Sequence, residues 1–191
     1  MSTTQPIRNK HHIRAIAEYH LKRGEFRNHL LVVMCTHTAL RVSDLLRLTW
    51  NDVYDFDRQC IRESIAIIEK KTGKSKIISL NNTVNSALKH CLPAAVSGDA
   101  LIKSRKGTNK AISRVQAYRI ITAAAEALSF GTKVSCHSLR KTFGYHAWKS
   151  GASPAVIMEI YNHSNFAVTC RYLGVAQDDK DEVYHKLAEV V

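Results

Sequence analysis

The sequence predicts an α+β domain that is mainly α-helical and has a small antiparallel β-hairpin or three-stranded sheet set into it. At 191 residues, 45% of them hydrophobic, the chain is the size of one globular domain with a substantial core. Apolar residues recur at helical spacing through most of the chain. The pattern changes to that of β-strands only between residues 53 and 80.

The N-terminal part predicts three helices after a flexible leader over residues 1–8. In residues 12–21 the apolar side chains recur at helical spacing, and Gly24 interrupts that pattern. Residues 26–38 are apolar enough for a helix that is largely buried. Residues 39–48 continue as a third helix with its leucines facing the core.

The next part of the chain predicts a small antiparallel sheet. Residues 60–68 are rich in isoleucine, which favours a strand. A turn with the sequence Lys-Thr-Gly-Lys follows at residues 71–74, where glycine tolerates a positive φ. Residues 76–80 form the second strand of this hairpin, and residues 53–56 offer a short third strand.

The remainder of the chain returns to helices. Pro93 ends the first of them, Gly151 ends a later one, and Ser153 with Pro154 begins the next. These helices cover residues 84–92, 113–128, 137–150, 154–161 and 179–191, and residues 166–173 form a short helix or turn. Neither an internal repeat nor a long linker divides the chain, so we expect residues 9–191 to form a single domain.

The charge of the chain indicates a polyanionic partner. Lysine and arginine number 28 against 16 acidic residues, which gives a formal net charge of +12 and favours nucleic acid or an anionic surface. No apolar run is long enough to span a membrane, and the N-terminus lacks the apolar core of a secretory signal. The five scattered cysteines favour free thiols in a reducing compartment, so we expect a cytoplasmic, DNA-associated protein.

The sequence predicts neither a metal ion nor another cofactor. It contains no C-x-x-C pair and no H-E-x-x-H motif. A metal-dependent nuclease needs clustered carboxylates to hold its cations. The most obvious group of carboxylates, Asp52, Asp55 and Asp57, lies in a loop before a strand. A metal-dependent nuclease is therefore disfavoured.

Two short segments near the C-terminus carry side chains that suit phosphodiester chemistry. His137 and Arg140 are three residues apart near the start of a helix and therefore share a face. His163 is followed nine residues later by Tyr172, and Arg41 lies about a hundred residues upstream. Each residue alone is as well explained by an ordinary surface or core position. Together, on a basic chain, they suit the attack of a tyrosine hydroxyl on a phosphodiester.

In its order along the chain, this set resembles the catalytic residues of the tyrosine recombinases, also called the phage-integrase family. The six matching residues are Arg41, Lys71, His137, Arg140, His163 and Tyr172. The turn at residues 71–74 is similar to the family's lysine hairpin, and residues 137–143 and 162–173 are similar to its two C-terminal boxes. The resemblance covers nearly the whole chain, and it implies the helical catalytic fold of DNA breaking–rejoining enzymes.

The sequence departs from the family pattern at three positions without losing a catalytic group. Asn162 stands where the family often has glycine, Ser79 where it often has proline, and Lys141 where a histidine frequently follows the box arginine. Typical members also carry an N-terminal DNA-clamping domain of about a hundred residues, which we expect to be absent here. The chain is then either an excised catalytic domain or a short recombinase of the kind that inverts DNA.

The resemblance also implies a role for each residue. Tyr172 attacks the scissile phosphate and forms a 3′-phosphotyrosine, while Arg41 and Arg140 stabilise the charge that develops on the phosphate oxygens. Lys71 is the candidate general acid for the leaving 5′-oxygen. The two histidines contact the phosphate or move the nucleophile's proton, and their division of acid–base work stays open. Asp44 either orients a catalytic neighbour or forms a simple surface ion pair.

The expected partner is a double-stranded DNA recombination site, bound by a homo-tetramer that assembles from free monomers. The helix over residues 179–191 either docks on a neighbouring protomer or packs on its own core. The residues expected to contact DNA are Lys74, Lys76, Lys103, Arg105, Lys106, Lys110 and Lys141. Two alternatives remain at this point: a topoisomerase-like enzyme that relaxes DNA, and a DNA-binding regulatory protein whose recombinase-like site is unused.

Overall fold

A computed structural model describes residues 4–173, 179, 184 and 185, and it confirms the mainly helical α+β architecture. The helices of the described residues are α1 (Lys10–Lys22), α2 (Phe26–His37), α3 (Val42–Leu45), α4 (Trp50–Val53), α5 (Asn82–Cys91), α6 (Arg114–Ala127), α7 (Cys136–Lys149), α8 (Pro154–Tyr161) and α9 (Phe166–Leu173). The strands are β1 (Tyr54–Asp55), β2 (Cys60–Ile61), β3 (Ser64–Ile68) and β4 (Ser75–Ser79).

Helix α2 is the centre of the core. Each of its residues from Leu30 to Cys35 is at most 3% exposed, as expected for a helix that is apolar on every face. Helices α1, α5 and α7 pack around it. Helix α7, which carries His137 and Arg140, is therefore anchored directly to the most buried element of the protein.

A capping box fixes the start of α7. The hydroxyl of Ser135 accepts a hydrogen bond from the backbone N–H of Ser138 at 3.3 Å, and the hydroxyl of Ser138 accepts one from the N–H of Ser135 at 3.2 Å. Such reciprocal bonds satisfy amides that the first helical turn leaves unpaired. The cap therefore sets the position of His137 in that first turn.

The strands form two separate two-stranded sheets, so the prediction of one three-stranded sheet is wrong and that of a hairpin is correct. Strand β1 pairs with β2, and β3 pairs with β4 from Ser64↔Ser79 to Ile68↔Ser75. The strand predicted over residues 60–68 is interrupted between β2 and β3. There the N–H of Arg62 donates to the carbonyl of Val53, which continues the pairing of β2 with β1, whereas β3 pairs with β4.

The helix predicted over residues 39–48 is reduced to the single turn of α3. Ala39 has a φ of 53°, a left-handed conformation that ends the helical path after α2. Arg41 is extended and occupies the position before the first residue of α3. The side chain of Arg41 is thus placed by a sharp bend in the chain and not by the middle of a helix.

Both ends of the described chain bear on earlier expectations. Residues 4–8 belong to the predicted flexible leader, yet Ile7 is buried and its N–H donates to the hydroxyl of Thr142 on α7 at 2.9 Å. The carbonyl of Ile7 lies 2.9 Å from Nε2 of His146, also on α7.

The predicted helix over residues 179–191 lies largely outside the described residues. In the described part of the chain, no helix is both long and apolar enough to cross a bilayer.

The packing of Ile7 on α7 predicts a measurable contribution to stability. Ile7 is 8% exposed, whereas Ile77 on the outer face of β4 is 76% exposed. We expect Ile7→Ala to lower the free energy of unfolding by about 2 kcal/mol because it removes buried methyl groups. Ile77→Ala should cost no more than about 0.5 kcal/mol. Equal effects of the two substitutions in urea denaturation would show that residues 4–8 add nothing to the fold.

Candidate active site

The structure places the six predicted catalytic residues on two helices and in three connections between elements. His137 and Arg140 lie on the first turns of α7 and Tyr172 on α9, and the other three lie in connections between elements. His163 follows α8 closely, Arg41 precedes α3, and Lys71 lies in the turn between β3 and β4. The site therefore depends on how these connections are held against α7.

A buried ion pair holds Arg41. Its Nη1 lies 2.8 Å from Oε1 of Glu69, whose side chain is fully buried at the end of β3. A buried carboxylate without a partner would be costly, so each charge requires the other. The pair orients the guanidinium of Arg41, because the single turn of α3 that follows Arg41 is too short to do so.

Glu69 also binds two other parts of the site. Its Oε2 accepts hydrogen bonds from the hydroxyl of Thr72 at 2.8 Å and from Nδ2 of Asn162 at 2.9 Å. Burial acts to raise the pKa of this carboxyl, but the bonds from Asn162, Thr72 and Arg41 outweigh it and lower the pKa below its ordinary value. One carboxylate thus connects Arg41, the lysine turn and the residue before His163.

The backbone conformation and side-chain contact of Asn162 explain why asparagine can stand where the family often has glycine. It has a φ of 54° and a ψ of 39°, the left-handed conformation for which glycine is favoured and which asparagine also tolerates. Unlike glycine, asparagine brings a side chain, and that side chain is the one bound to Glu69. The substitution therefore keeps the turn after α8 and adds a bond to the hairpin.

Asp44 lies beneath the lysine turn. It is 2% exposed, and its Oδ1 accepts a hydrogen bond at 3.0 Å from the backbone N–H of Lys70, the residue before Lys71. Arg47 is the nearest cation, with Nη1 3.8 Å from the same oxygen. The contact with the backbone of the turn is closer than the ion pair.

Arg140 is almost wholly buried at the centre of the site. It is 2% exposed, donates from Nη1 to the carbonyl of Ala39, and has its guanidinium 4.7 Å from the centre of the Tyr161 ring. Burial, followed by the charge of Arg41, lowers its pKa. It stays cationic at neutral pH because the pKa of a free guanidinium lies far above 7. Two permanent cations therefore face the same small volume.

The hydroxyl of Tyr172 lies next to neutral imidazoles. It is 3.5 Å from Nδ1 of His137, at the outer limit of a hydrogen bond, and its ring centre is 4.6 Å from that of His163. Partial desolvation, and then the charges of Lys141 and Arg140, lower the pKa of His137. Desolvation and then Arg140 lower the pKa of His163 to about 4. Both rings are therefore neutral at pH 7 and able to accept a proton.

The two lysines of the hairpin differ in their surroundings. Lys71 is exposed at the tip, whereas Nζ of Lys76 is buried and has no hydrogen-bond partner among the described residues. Burial and then the charge of Arg140 lower the pKa of Lys76 to about 8. Lys76 was expected on the DNA-facing surface, but its ammonium lies inside the site. The alternation of β4 could have revealed this, because Lys76 shares the inward face with Ile78.

The other residues expected to contact DNA fall into two groups. Those that are exposed, as expected, are Lys74, Lys103, Arg105, Lys106 and Lys110. Lys141 differs, because it is 7% exposed and its Nζ donates to the carbonyl of Thr4 at 2.8 Å. The same ammonium lies 5.3 Å from the centre of the Tyr172 ring. Lys141 is therefore buried between Tyr172 and the N-terminal segment, and its expected contact with DNA stays a prediction.

The sequence did not identify two residues that organise this site, Glu69 and Tyr161. Glu69 follows an isoleucine-rich strand, where a carboxylate is unusual, but two of its three partners, Arg41 and Asn162, are distant in sequence. Tyr161 stands two residues before His163, and its part in the site becomes visible only from its burial in the structure. Within the described residues, no group of three or more histidine, cysteine or acidic side chains is arranged to hold a metal.

Replacing Glu69 with glutamine should reveal its contribution through pH. Because the pKa of Glu69 is lower in the folded protein than its ordinary value of about 4.5, its stabilisation is present above that pH and is lost as the pH falls below it. We expect Glu69→Gln to cost about 2–3 kcal/mol at pH 7, with the difference from wild type shrinking below pH 4.5. Urea denaturation at several pH values measures this. A difference independent of pH would show that the charge of Glu69 is unimportant.

Comparisons with known proteins identify the family of the chain. The model of the phage integrase family matches residues 8–178. The probable integrase/recombinase YoeC of Bacillus subtilis is 34% identical over 184 residues, covering 96% of this chain and 97% of YoeC. The type 1 fimbriae regulatory protein FimE of Escherichia coli K12 is 30% identical over 152 residues, 76% of this chain and 73% of FimE.

Longer recombinases match over part of their length. The tyrosine recombinase XerD of Mycobacterium leprae is 26% identical over 83% of this chain, which spans 51% of XerD. The crystal structure of XerA recombinase superposes with a TM-score of 0.78 and 22% identity, over 96% of this chain and 66% of XerA. XerH bound to its difH substrate gives a TM-score of 0.74 at 19% identity, over 95% of this chain and 53% of XerH. The chain therefore belongs to the phage integrase family and is a tyrosine recombinase, an enzyme of site-specific DNA recombination.

Proposed function

We propose that the protein cleaves and rejoins DNA through a covalent bond between Tyr172 and a 3′-phosphate. The observation that carries this proposal is the position of the Tyr172 hydroxyl, 3.5 Å from a neutral His137 and beside the buried cation Arg140. A free phenol is a poor nucleophile because its pKa is about 10. A neighbouring base and cations make it reactive by accepting its proton and stabilising the phenolate.

Cleavage then exchanges one phosphate ester for another. The Oη of Tyr172 bonds to phosphorus while the bond from phosphorus to the 5′-oxygen breaks, and the phenolic proton passes to His137. Arg41 and Arg140 neutralise the charge on the non-bridging oxygens, an effect worth about 3 kcal/mol or more per donor at the barrier. Because the phosphotyrosine retains the ester bond, rejoining requires no nucleotide hydrolysis.

The leaving 5′-oxygen takes its proton from Lys71. A lysine at an exposed turn can reach a DNA strand that lies across the site, and the turn is held by Glu69, Thr72 and Asp44. Lys76 lies deeper, so it adds positive charge close to the phosphate. The two lysines of one hairpin therefore serve different parts of the reaction.

Strand exchange reverses this step with a 5′-hydroxyl from another DNA strand. It requires several active sites on double-stranded DNA, so we propose a DNA-bound tetramer that assembles from monomers in the cytoplasm. The exposed basic residues from Lys103 to Lys110 contribute phosphate contacts beside the site. The match to integrases and recombinases over most of the chain favours recombination above DNA relaxation or binding without chemistry.

The nucleophile can be tested by trapping. A DNA duplex nicked near the cleavage point loses its short 5′-hydroxyl fragment, so the covalent complex accumulates. We expect wild type and Tyr184→Phe to form a protein–DNA adduct in EDTA, since Tyr184 is 73% exposed and takes no part in the site. Tyr172→Phe should form none on a denaturing gel. An adduct with Tyr172→Phe would identify a different nucleophile.

The general acid can be tested with a modified leaving group. A sulfur atom in place of the bridging 5′-oxygen leaves as a stable thiolate and requires no proton. Lys71→Met should slow cleavage of ordinary DNA by roughly 100-fold or more and cleave the sulfur-containing substrate nearly as fast as wild type. Lys89→Met, at an exposed lysine on α5 that is not among the residues expected to contact DNA, is the control and should cleave both substrates normally. A defect of Lys71→Met that persists with sulfur would assign Lys71 to phosphate binding instead.

A further inference from the structure

The hydroxyl of Tyr161 is inserted into the hydrogen bonding of α7. It accepts a hydrogen bond from the backbone N–H of Gly144 at 2.8 Å and donates one to the carbonyl of Arg140 at 2.6 Å. Gly144 and Arg140 are four residues apart, so an uninterrupted α-helix would join these two groups directly. The hydroxyl of Tyr161 binds both groups of this helical pair, one turn after the site arginine.

Gly144 is required for this insertion. A Cβ atom at that position would lie 2.5 Å from the hydroxyl oxygen of Tyr161 and 2.7 Å from Cε2 of its ring. These separations are far below van der Waals contact, and both atoms belong to a side chain that is fully buried. Gly144 and Tyr161, on different helices, therefore act as a pair in which the small residue makes room for the large one.

Tyr161 also contacts three of the proposed catalytic residues directly. The guanidinium of Arg140 lies 4.7 Å from its ring centre, and the ring of His163 stacks on it with centres 5.1 Å apart and planes 22° apart. The ring of Tyr172 is also 5.1 Å away. Burial raises the pKa of Tyr161 well above its ordinary value, so its hydroxyl keeps its proton and remains a fixed donor.

We infer that Tyr161 is a positioning residue for DNA cleavage. Its hydroxyl holds Arg140 in position, and its ring holds the stacked ring of His163. The inference rests on the proposed function, because it assigns Tyr161 an effect on the cleavage step. The hydroxyl binds the carbonyl of Arg140 while the backbone carbonyl of Tyr161 accepts from Nη2 of Arg140 at 3.4 Å. Tyr161 therefore binds both the backbone carbonyl and the guanidinium of Arg140. These two contacts fix the arginine side chain before the phosphate arrives.

Tyr161→Phe is the sharpest test, because it removes the inserted hydroxyl and keeps the ring. We expect a single-turnover cleavage rate roughly tenfold below wild type with DNA affinity unchanged, since the site loses alignment and no surface charge. Tyr145→Phe is the matched control, because Tyr145 is also a buried tyrosine, lies on α7, and has its ring against Arg8, His146 and Trp148. Tyr145→Phe should cleave at the wild-type rate. A wild-type rate for Tyr161→Phe would overturn the inference.

A change of substrate separates positioning of Arg140 from general loosening of the protein. In a methylphosphonate linkage, a methyl group replaces one charged oxygen of the scissile phosphate, so less charge needs to be neutralised. We expect the defect of Tyr161→Phe to shrink severalfold on that substrate if it acts through Arg140. A defect of the same size on both substrates would contradict the inference.

A second variant keeps the test open if Tyr161→Phe does not fold. Gly144→Ala combined with Tyr161→Leu fills the space with smaller groups and removes the hydroxyl that binds residues 140 and 144. This double variant should fold, bind DNA and cleave slowly, and normal cleavage by it would count against the inference. Failure of the proposed function would give a different result, because the wild-type protein itself would then form no covalent adduct through Tyr172.

Discussion

The arrangement of this site depends on one buried carboxylate, that of Glu69. Its ion pair with Arg41 and its hydrogen bonds to Thr72 and Asn162 connect three chain segments that do not form regular elements at the points of contact. A buried anion is stable only when its partners surround it, so each of these segments is held in place by the same requirement. On a strongly basic chain, the carboxylate also offsets part of the repulsion between Arg41 and Arg140.

A second constraint acts from the other side of the site through α7. This helix is fixed by its capping box at Ser135, by its packing on α2, and by the insertion of Tyr161 after Arg140. Helix α7 forms one fixed side of the site. The contacts of Glu69 position the segments that carry Arg41, Lys71 and His163 on the other side. The division suits an enzyme that must hold two arginines at a phosphate and still admit DNA from the hairpin side.

Much of this could be predicted from the sequence, and the failures have common physical causes. Helical periodicity located α1, α2, α5, α6, α7 and α8 to within a few residues because their apolar faces pack on one core. The order of the six site residues indicated the family. The turn at Ala39 could not be foreseen, since a left-handed alanine leaves no local signal. Glu69 and Tyr161 were missed because their roles arise from partners that only the tertiary fold brings together.

The cations proposed to bind phosphate also affect the pKa values of the two histidines. Desolvation lowers the pKa of both rings, and the positive charge of Arg140 adds to this effect, so the rings are neutral before DNA binds. A phosphodiester in the site brings a negative charge that partly cancels the arginines, and the pKa values of the histidines must then rise. His137 is consequently a stronger base once the scissile phosphate is in place than in the free protein.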